Sequence, residues 1–99
     1  MILREIAHAR TGDKGSLVTI SLIAYRREDY ALLEERITAE RVSEHFAGLL
    51  VAPVQRYSLP SLGALNFVLQ RPLAQSVTRS LALDAHGKCL GSALLAMQI

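Results

Sequence analysis

Apolar and polar residues alternate with a period of two over residues 17–25. Val18, Ile20, Leu22 and Ala24 fall on one side and Thr19 and Ser21 on the other, which predicts a strand with one core face and one half-polar face. A weaker alternation predicts a strand over residues 2–8, with Ile2, Ile6 and His8 on a common face. The polar stretch between these strands reads as a loop, too long for a two-residue hairpin, joining antiparallel neighbours. From Glu28 the period becomes helical: Tyr30, Leu33 and Ile37 stand at i, i+3 and i+7, with Asp29 placed to cap the start. Thr38 reads as a second N-cap, with Glu40 near the positive end of the helix dipole. Val42, Phe46, Leu49 and Leu50 form the apolar stripe of that second helix, so the pattern predicts two helical pieces broken near Thr38 rather than one rod.

Residues 51–59 predict a third strand, whose start carries Pro53 at a position that need not donate a ladder hydrogen bond. Residues 60–72 fit two patterns. Leu62, Leu65 and Leu69 have helical spacing, while Phe67-Val68-Leu69 suits a strand; the reading adopted is a short helix stopped before Pro72. Residues 76–84 predict a strand with Val77, Arg79, Leu81 and Leu83 on one face. A turn over 84–88 and a short C-terminal helix over 90–99 complete the chain. This order predicts an α+β sandwich, one domain over residues 1–99, with helices layered on one face of a mainly antiparallel sheet.

Composition narrows the function. A chain of 99 residues, 51% of them hydrophobic, supports one core, burying roughly 60–65% of its unfolded surface. That leaves little room for an enclosed active site, and favours a shallow groove or a site completed by a second chain. The formal charge is +2, without a basic run or basic residues interleaved with aromatics, so a nucleic-acid footprint is not supported. The single cysteine, Cys89, excludes an internal disulfide, suits a reducing cytoplasm, and reads as an ordinary small hydrophobe. The N-terminus lacks the pattern of a signal peptide, and no apolar run approaches the roughly 20 residues that span a bilayer. The expectation is a soluble cytoplasmic protein without a membrane segment.

Candidate chemistry concentrates in His8-Ala-Arg10-Thr11-Gly12-Asp13-Lys14-Gly15. Its functional reading makes Arg10 and Lys14 donors to a carboxylate or phosphate, with backbone N–H groups of Gly15 and Ser16 contributing to a nest-like turn. Its ordinary reading is a tight inter-strand loop in which Asp13 caps N–H groups and pairs with Arg10 or Lys14. The spacing of a phosphate-binding P-loop is absent. A triad of His8, Asp13 and Ser16 would have to come from one short loop, which argues against it. His8, His45 and His86 are too dispersed to predict a metal site. Outside this stretch, Arg79 on an apolar strand face and Asn66 inside an apolar run each need a polar partner. Their ordinary readings are an internal salt bridge and a buried amide tie; convergence of Asn66, Arg79 and the 8–15 stretch would instead define a site.

Two stretches, residues 8–15 and Tyr57-Ser-Leu-Pro-Ser-Leu-Gly-Ala-Leu-Asn-Phe67, carry a resemblance, supported by Thr38-Ala-Glu-Arg-Val42 and Val77-Thr-Arg-Ser-Leu81. In that order they resemble the C-terminal ferredoxin-like domain of the acyclic terpene utilisation protein A (AtuA) family, over nearly the whole chain. The resemblance implies a ferredoxin-like two-layer sandwich. In many members this domain follows a much larger one, so the resemblance also implies a larger partner protein, with self-association as a further expectation. Family members are associated with catabolism of branched or terpenoid acids through coenzyme A thioesters. The leading expectation is therefore an interaction module that needs no cofactor. The alternative is a domain that binds or transforms an anionic or CoA-linked molecule through residues 8–15, Asn66 and Arg79. Ser16, where Asn or Asp would be expected, and Arg71-Pro72, where a glycine-rich connection is common, depart from the family pattern and bear on loop shape.

Overall fold

The computed structural model describes residues 1–50, 52–70 and 89–99. A 3-10 turn at Leu3–Glu5 leads into β1 (Ala7–Lys14) and β2 (Leu17–Ala24). A second 3-10 turn (Arg27–Asp29) then enters α1 (Tyr30–Arg36), followed by α2 (Ala39–His45). Next come β3 (Gln55–Leu59), a 3-10 turn at Pro60–Leu62, β4 (Ala64–Gln70) and finally α3 (Cys89–Leu95). The strands form a four-stranded sheet in the order β1-β2-β4-β3, antiparallel at every junction. Val18, Ile20, Leu22, Leu65, Phe67 and Leu69 from one sheet face are fully buried in one core with Leu33, Val42 and Leu94 of the helices and Ile37 between α1 and α2. Each such side chain contributes about 1.5–3 kcal/mol by leaving water. This is the α+β sandwich with helices on one face that the sequence predicts.

Several local expectations are corrected. The stretch 8–15 is strand rather than loop: β1 pairs with β2 from Ala7↔Ala24 to Lys14↔Leu17, and only Gly15 and Ser16 make the turn. Gly15 takes φ +65 and Ser16 keeps an ordinary φ, which a two-residue hairpin turn matching the strand twist allows. Hydrophobic alternation misses β1 because it ends one side of the described sheet, where short and polar side chains suffice on both faces. The strand expected over 2–8 begins only at Ala7. Before it, the 3-10 turn buries Leu3, whose N–H donates to the Met97 carbonyl at 2.9 Å, so Ile2, Ile6 and His8 do not share a strand face.

The helix expected over 60–72 is also overturned. Gly63, at φ +63, ends the 3-10 turn in a left-handed conformation, and residues 64–70 continue as β4, with Leu65, Phe67 and Leu69 facing the core. The central position of β4, between β2 and β3, rewards that alternation with ladders on both sides. The third strand starts at Gln55 rather than 51, because the Val54 N–H is taken by Ser43 Oγ at 3.1 Å instead of a ladder partner. Asp29 makes no side-chain cap; its own N–H already closes the preceding turn onto the Arg26 carbonyl at 2.9 Å.

The break at Thr38 is as predicted. Its backbone is extended, and its Oγ1 accepts from the Arg41 N–H at 3.1 Å, capping α2. Two arginines then close the end of α1. Arg56 donates to the Glu34 and Ile37 carbonyls at 2.7 and 3.0 Å, and Arg41 to the Arg36 carbonyl at 3.0 Å. These are the carbonyls a helix end leaves without partners, and a cation there also suits the dipole. The predicted strand 76–84, the turn 84–88 and residues 71–72 lie outside the described residues.

Candidate functional site

Strand pairing fixes which side chains share the face turned away from the helices, because directly paired residues point the same way. Across that face run three registers of four residues: His8-Ile23-Ala64-Leu59, Arg10-Ser21-Asn66-Tyr57 and Gly12-Thr19-Val68-Gln55, with Lys14-Leu17-Gln70 beyond them. Among the described residues no helix packs on this side. Sequence-predicted His8, Arg10, Gly12, Lys14 and Asn66 are thus brought onto one surface. Thr11 and Asp13 point to the opposite face, paired with Ile20 and Val18 of the core. Gly15 sits in the hairpin turn. Arg79 lies outside the described residues.

Thr11 meets a structural neighbour there. A Cβ built on Gly91 of α3 would fall 2.6 Å from Thr11 Oγ1 and 3.6 Å from the Ala9 Cβ. Absence of a side chain at Gly91 therefore lets α3 lie close on β1. The close approach also gives Thr11 a packing role. Gly12, on the open side, presses its Cα against Thr19: an added Cβ would sit 2.8 Å from Thr19 Oγ1.

On the open side, Ser21 Oγ donates to Asn66 Oδ1 at 3.0 Å. That uses the acceptor of the amide and leaves its Nδ2 group as a donor. This meets the requirement for a partner that Asn66 posed in sequence, although the partner is a strand neighbour rather than a loop. His8 stacks on Tyr25 with ring centroids 5.1 Å apart and planes at 26°. Tyr25 is 62% exposed beside His8, and Tyr57 (51%) and Leu59 (38%) are exposed on β3 at the opposite side of the face. Ser21 and Tyr57 share this face and Tyr25 borders it through His8, and none of the three is among the candidates read from the sequence. The polar side of the 17–25 alternation signalled Ser21, whereas Tyr57 needed the β3–β4 register.

Among the described residues, charge on this face is one-sided. Arg10 and Lys14 project from it, and none of the described acids does: Glu5 lies in the first turn, Asp13 on the core side, and the remainder in the helical segment 28–44. Arg10 makes no hydrogen bond or ion pair among the described residues. By contrast, Arg27, Arg41 and Arg56 donate to carbonyls, while Arg26 and Arg36 sit beside Glu28 and Glu35.

Other arrangements carry less chemistry. His8 and Asp13 lie on opposite faces of β1, so with Ser16 they do not form a triad. No group of three His, Cys, Asp or Glu side chains among the described residues could hold a metal. A cleft of about 320 Å³ between α2 and the approach to β3 is lined by Ser43, Phe46, Gly48, Leu50, Ala52 and Pro53. Its described lining has no ionisable residue, and Ser43 is already engaged by Val54. Among the described residues no helix is long and apolar enough to cross a membrane.

Comparison with family models matches the AtuA ferredoxin-like domain over residues 1–99. Comparison with curated proteins and with solved structures gives no match.

Proposed function

Since the chain belongs to the AtuA ferredoxin-like domain family, we propose that it is an interaction module whose open sheet face docks on a larger AtuA-type protein in the catabolism of acyl-CoA or terpenoid-derived acids. The observation that carries this reading is a four-stranded face with no described helix on it, bearing the apolar register His8-Ile23-Ala64-Leu59 and flanked by Tyr25 and Tyr57. Strands about 4.8 Å apart and a rise of about 3.3 Å per residue give the face a footprint of roughly 440 Å². A standard interface takes about 800 Å² from each partner. The face supplies roughly half of that, and the neighbouring Tyr25 and Leu62, both well exposed, extend it. A second copy of the chain is a poorer occupant, because face-to-face pairing sets Arg10 and Lys14 against their own counterparts with no described acid between them.

The test is co-expression with an AtuA-type large protein from the same source, followed by light scattering on the eluted complex. A mass equal to the sum of both chains is expected, and Ile23→Lys, a charge in the centre of the apolar register, should abolish it while circular dichroism stays unchanged. Separate elution of the two wild-type chains overturns the reading. The uncommitted Arg10 and Lys14 favour a second reading, a small anionic or CoA-linked ligand on the same face. It predicts that CoA thioesters raise the melting temperature of the isolated chain, and that Arg10→Ala and Lys14→Ala remove the effect.

A further inference from the structure

We infer that the register Arg10-Ser21-Asn66 recognises a carboxylate, and that the docked surface supplies it as an Asp or Glu side chain; this rests on the docking reading above. The register is built as a donor strip. Asn66 gives its carbonyl oxygen to Ser21 and keeps its NH2 group for an outside acceptor. Arg10, two strands away and about 10 Å off at the strand spacing, carries a guanidinium with five N–H donors and has no partner among the described residues. A carboxylate seated above Ser21 between them receives charge-assisted bonds from both sides. Lys14, on the same face of β1, adds a second cation toward the hairpin end. No described acid on this face satisfies these groups, and the inference assigns the complement to the partner.

The remaining arginines sharpen the contrast. Arg56 spends its donors on the end of α1, Arg41 on the carbonyls of Arg36 and Gln98, and Arg27 on those of Pro60 and Ser61. Those side chains hold the fold. Arg4 is the other described arginine without a partner, and it sits on the first 3-10 turn, off the sheet face. Among the described arginines, Arg10 alone combines an unused guanidinium with a place on the exposed register.

The experiment uses the complex with the AtuA-type large protein. Carbodiimide couples a lysine amine to a carboxylate in contact with it, and the chain has Lys14 and Lys88 as its lysines. Peptide mass spectrometry should find Lys14 joined to an Asp or Glu of the partner. Charge-assisted hydrogen bonds predict that Arg10→Gln weakens the dissociation constant by about tenfold to a hundredfold. Arg10→Lys should fall between Arg10→Gln and wild type, since it keeps the charge and loses the fork. Asn66→Asp should weaken binding more than Asn66→Ala, because it sets a carboxylate against a carboxylate. All variants should keep the wild-type dichroism spectrum.

A complex that forms, breaks with Ile23→Lys, yet ignores Arg10→Gln and gives no Lys14 cross-link overturns this inference and leaves the docking reading standing. Failure of the wild-type complex removes both. Citrate is the free-anion control. If it raises the melting temperature of the isolated chain, and Arg10→Gln abolishes that rise, the register serves a small anion, and the inference of a partner side chain is wrong.

Discussion

Replacing Gly91 by alanine probes the contact that makes α3 and β1 one layered unit. The new Cβ would stand 2.6 Å from Thr11 Oγ1. Ordinary van der Waals contact begins at 3.4 Å, so roughly 0.8 Å must be found. It is available only by turning the Thr11 hydroxyl out of its rotamer or by lifting α3, and lifting α3 loosens Leu90 and Leu94, both buried in the core. Overpacking of this kind costs about 1–3 kcal/mol. Alanine in place of glycine within a helix returns about 1 kcal/mol, so Gly91→Ala should destabilise by roughly 0–2 kcal/mol. The sharper quantity is the coupling. In Thr11→Ala the hydroxyl is gone, so adding Gly91→Ala to that background should lose the penalty and show the helix-propensity gain alone. The double-mutant cycle should therefore give an interaction energy of about 1–3 kcal/mol. Urea titration followed by circular dichroism measures it. An m-value of about 1–3 kcal/mol/M turns each kcal/mol into a midpoint shift of about 0.3–1 M. Additivity of the two substitutions within about 0.3–0.5 kcal/mol would refute the contact and with it the packing role of Thr11.

Thr38→Ala removes the side-chain acceptor for the Arg41 N–H and should cost about 1 kcal/mol, with Thr38→Ser close to wild type in the same titration. Arg56→Met keeps much of the apolar stem but strands the Glu34 and Ile37 carbonyls; a loss of about 1–3 kcal/mol is expected, and a melting curve matching wild type would show that water satisfies those groups. Gly63→Ala meets nothing closer than Arg27 Cδ at 3.9 Å, so its cost isolates the φ of +63. About 1–2 kcal/mol is expected, with Gly63→Asn less damaging, and calorimetry at roughly 4–8 °C per kcal/mol resolves the two.

The strongly patterned parts of the fold were legible because their physics is local. Val18, Ile20 and Leu22 alternate whatever they pair with, and Thr38 marks a helix start by its own hydroxyl. β1 and β4 were misread for reasons that lie outside their sequences. In β1 the ladder to β2 sustains a strand through Thr11-Gly12-Asp13, where propensity is poor. In β4 two flanking strands outweigh the helical spacing of Leu62, Leu65 and Leu69, and Leu62 is left 67% exposed in the turn before it. Local pattern cannot register a neighbour distant in the chain.

The same non-local pairing reorganises the candidate site. Read as a loop, residues 8–15 would present all their polar groups in one direction. Read as a strand, they are sorted by alternation: His8, Arg10 and Lys14 go to the open face, while Thr11 and Asp13 go toward the core side. Sorting separates cations from the acid that would otherwise neutralise them within the hairpin. It also places Arg10 in line with Asn66, a residue 56 positions later in the chain. The positive charge on the open face, which no described acid compensates, therefore follows from the strand's period of two. A one-residue slip in the β1–β2 register would bring Asp13 to the open face and withdraw Arg10 and Lys14. Gly15 and Ser16 fix that register through their two-residue turn, so the glycine decides which side chains the open face presents.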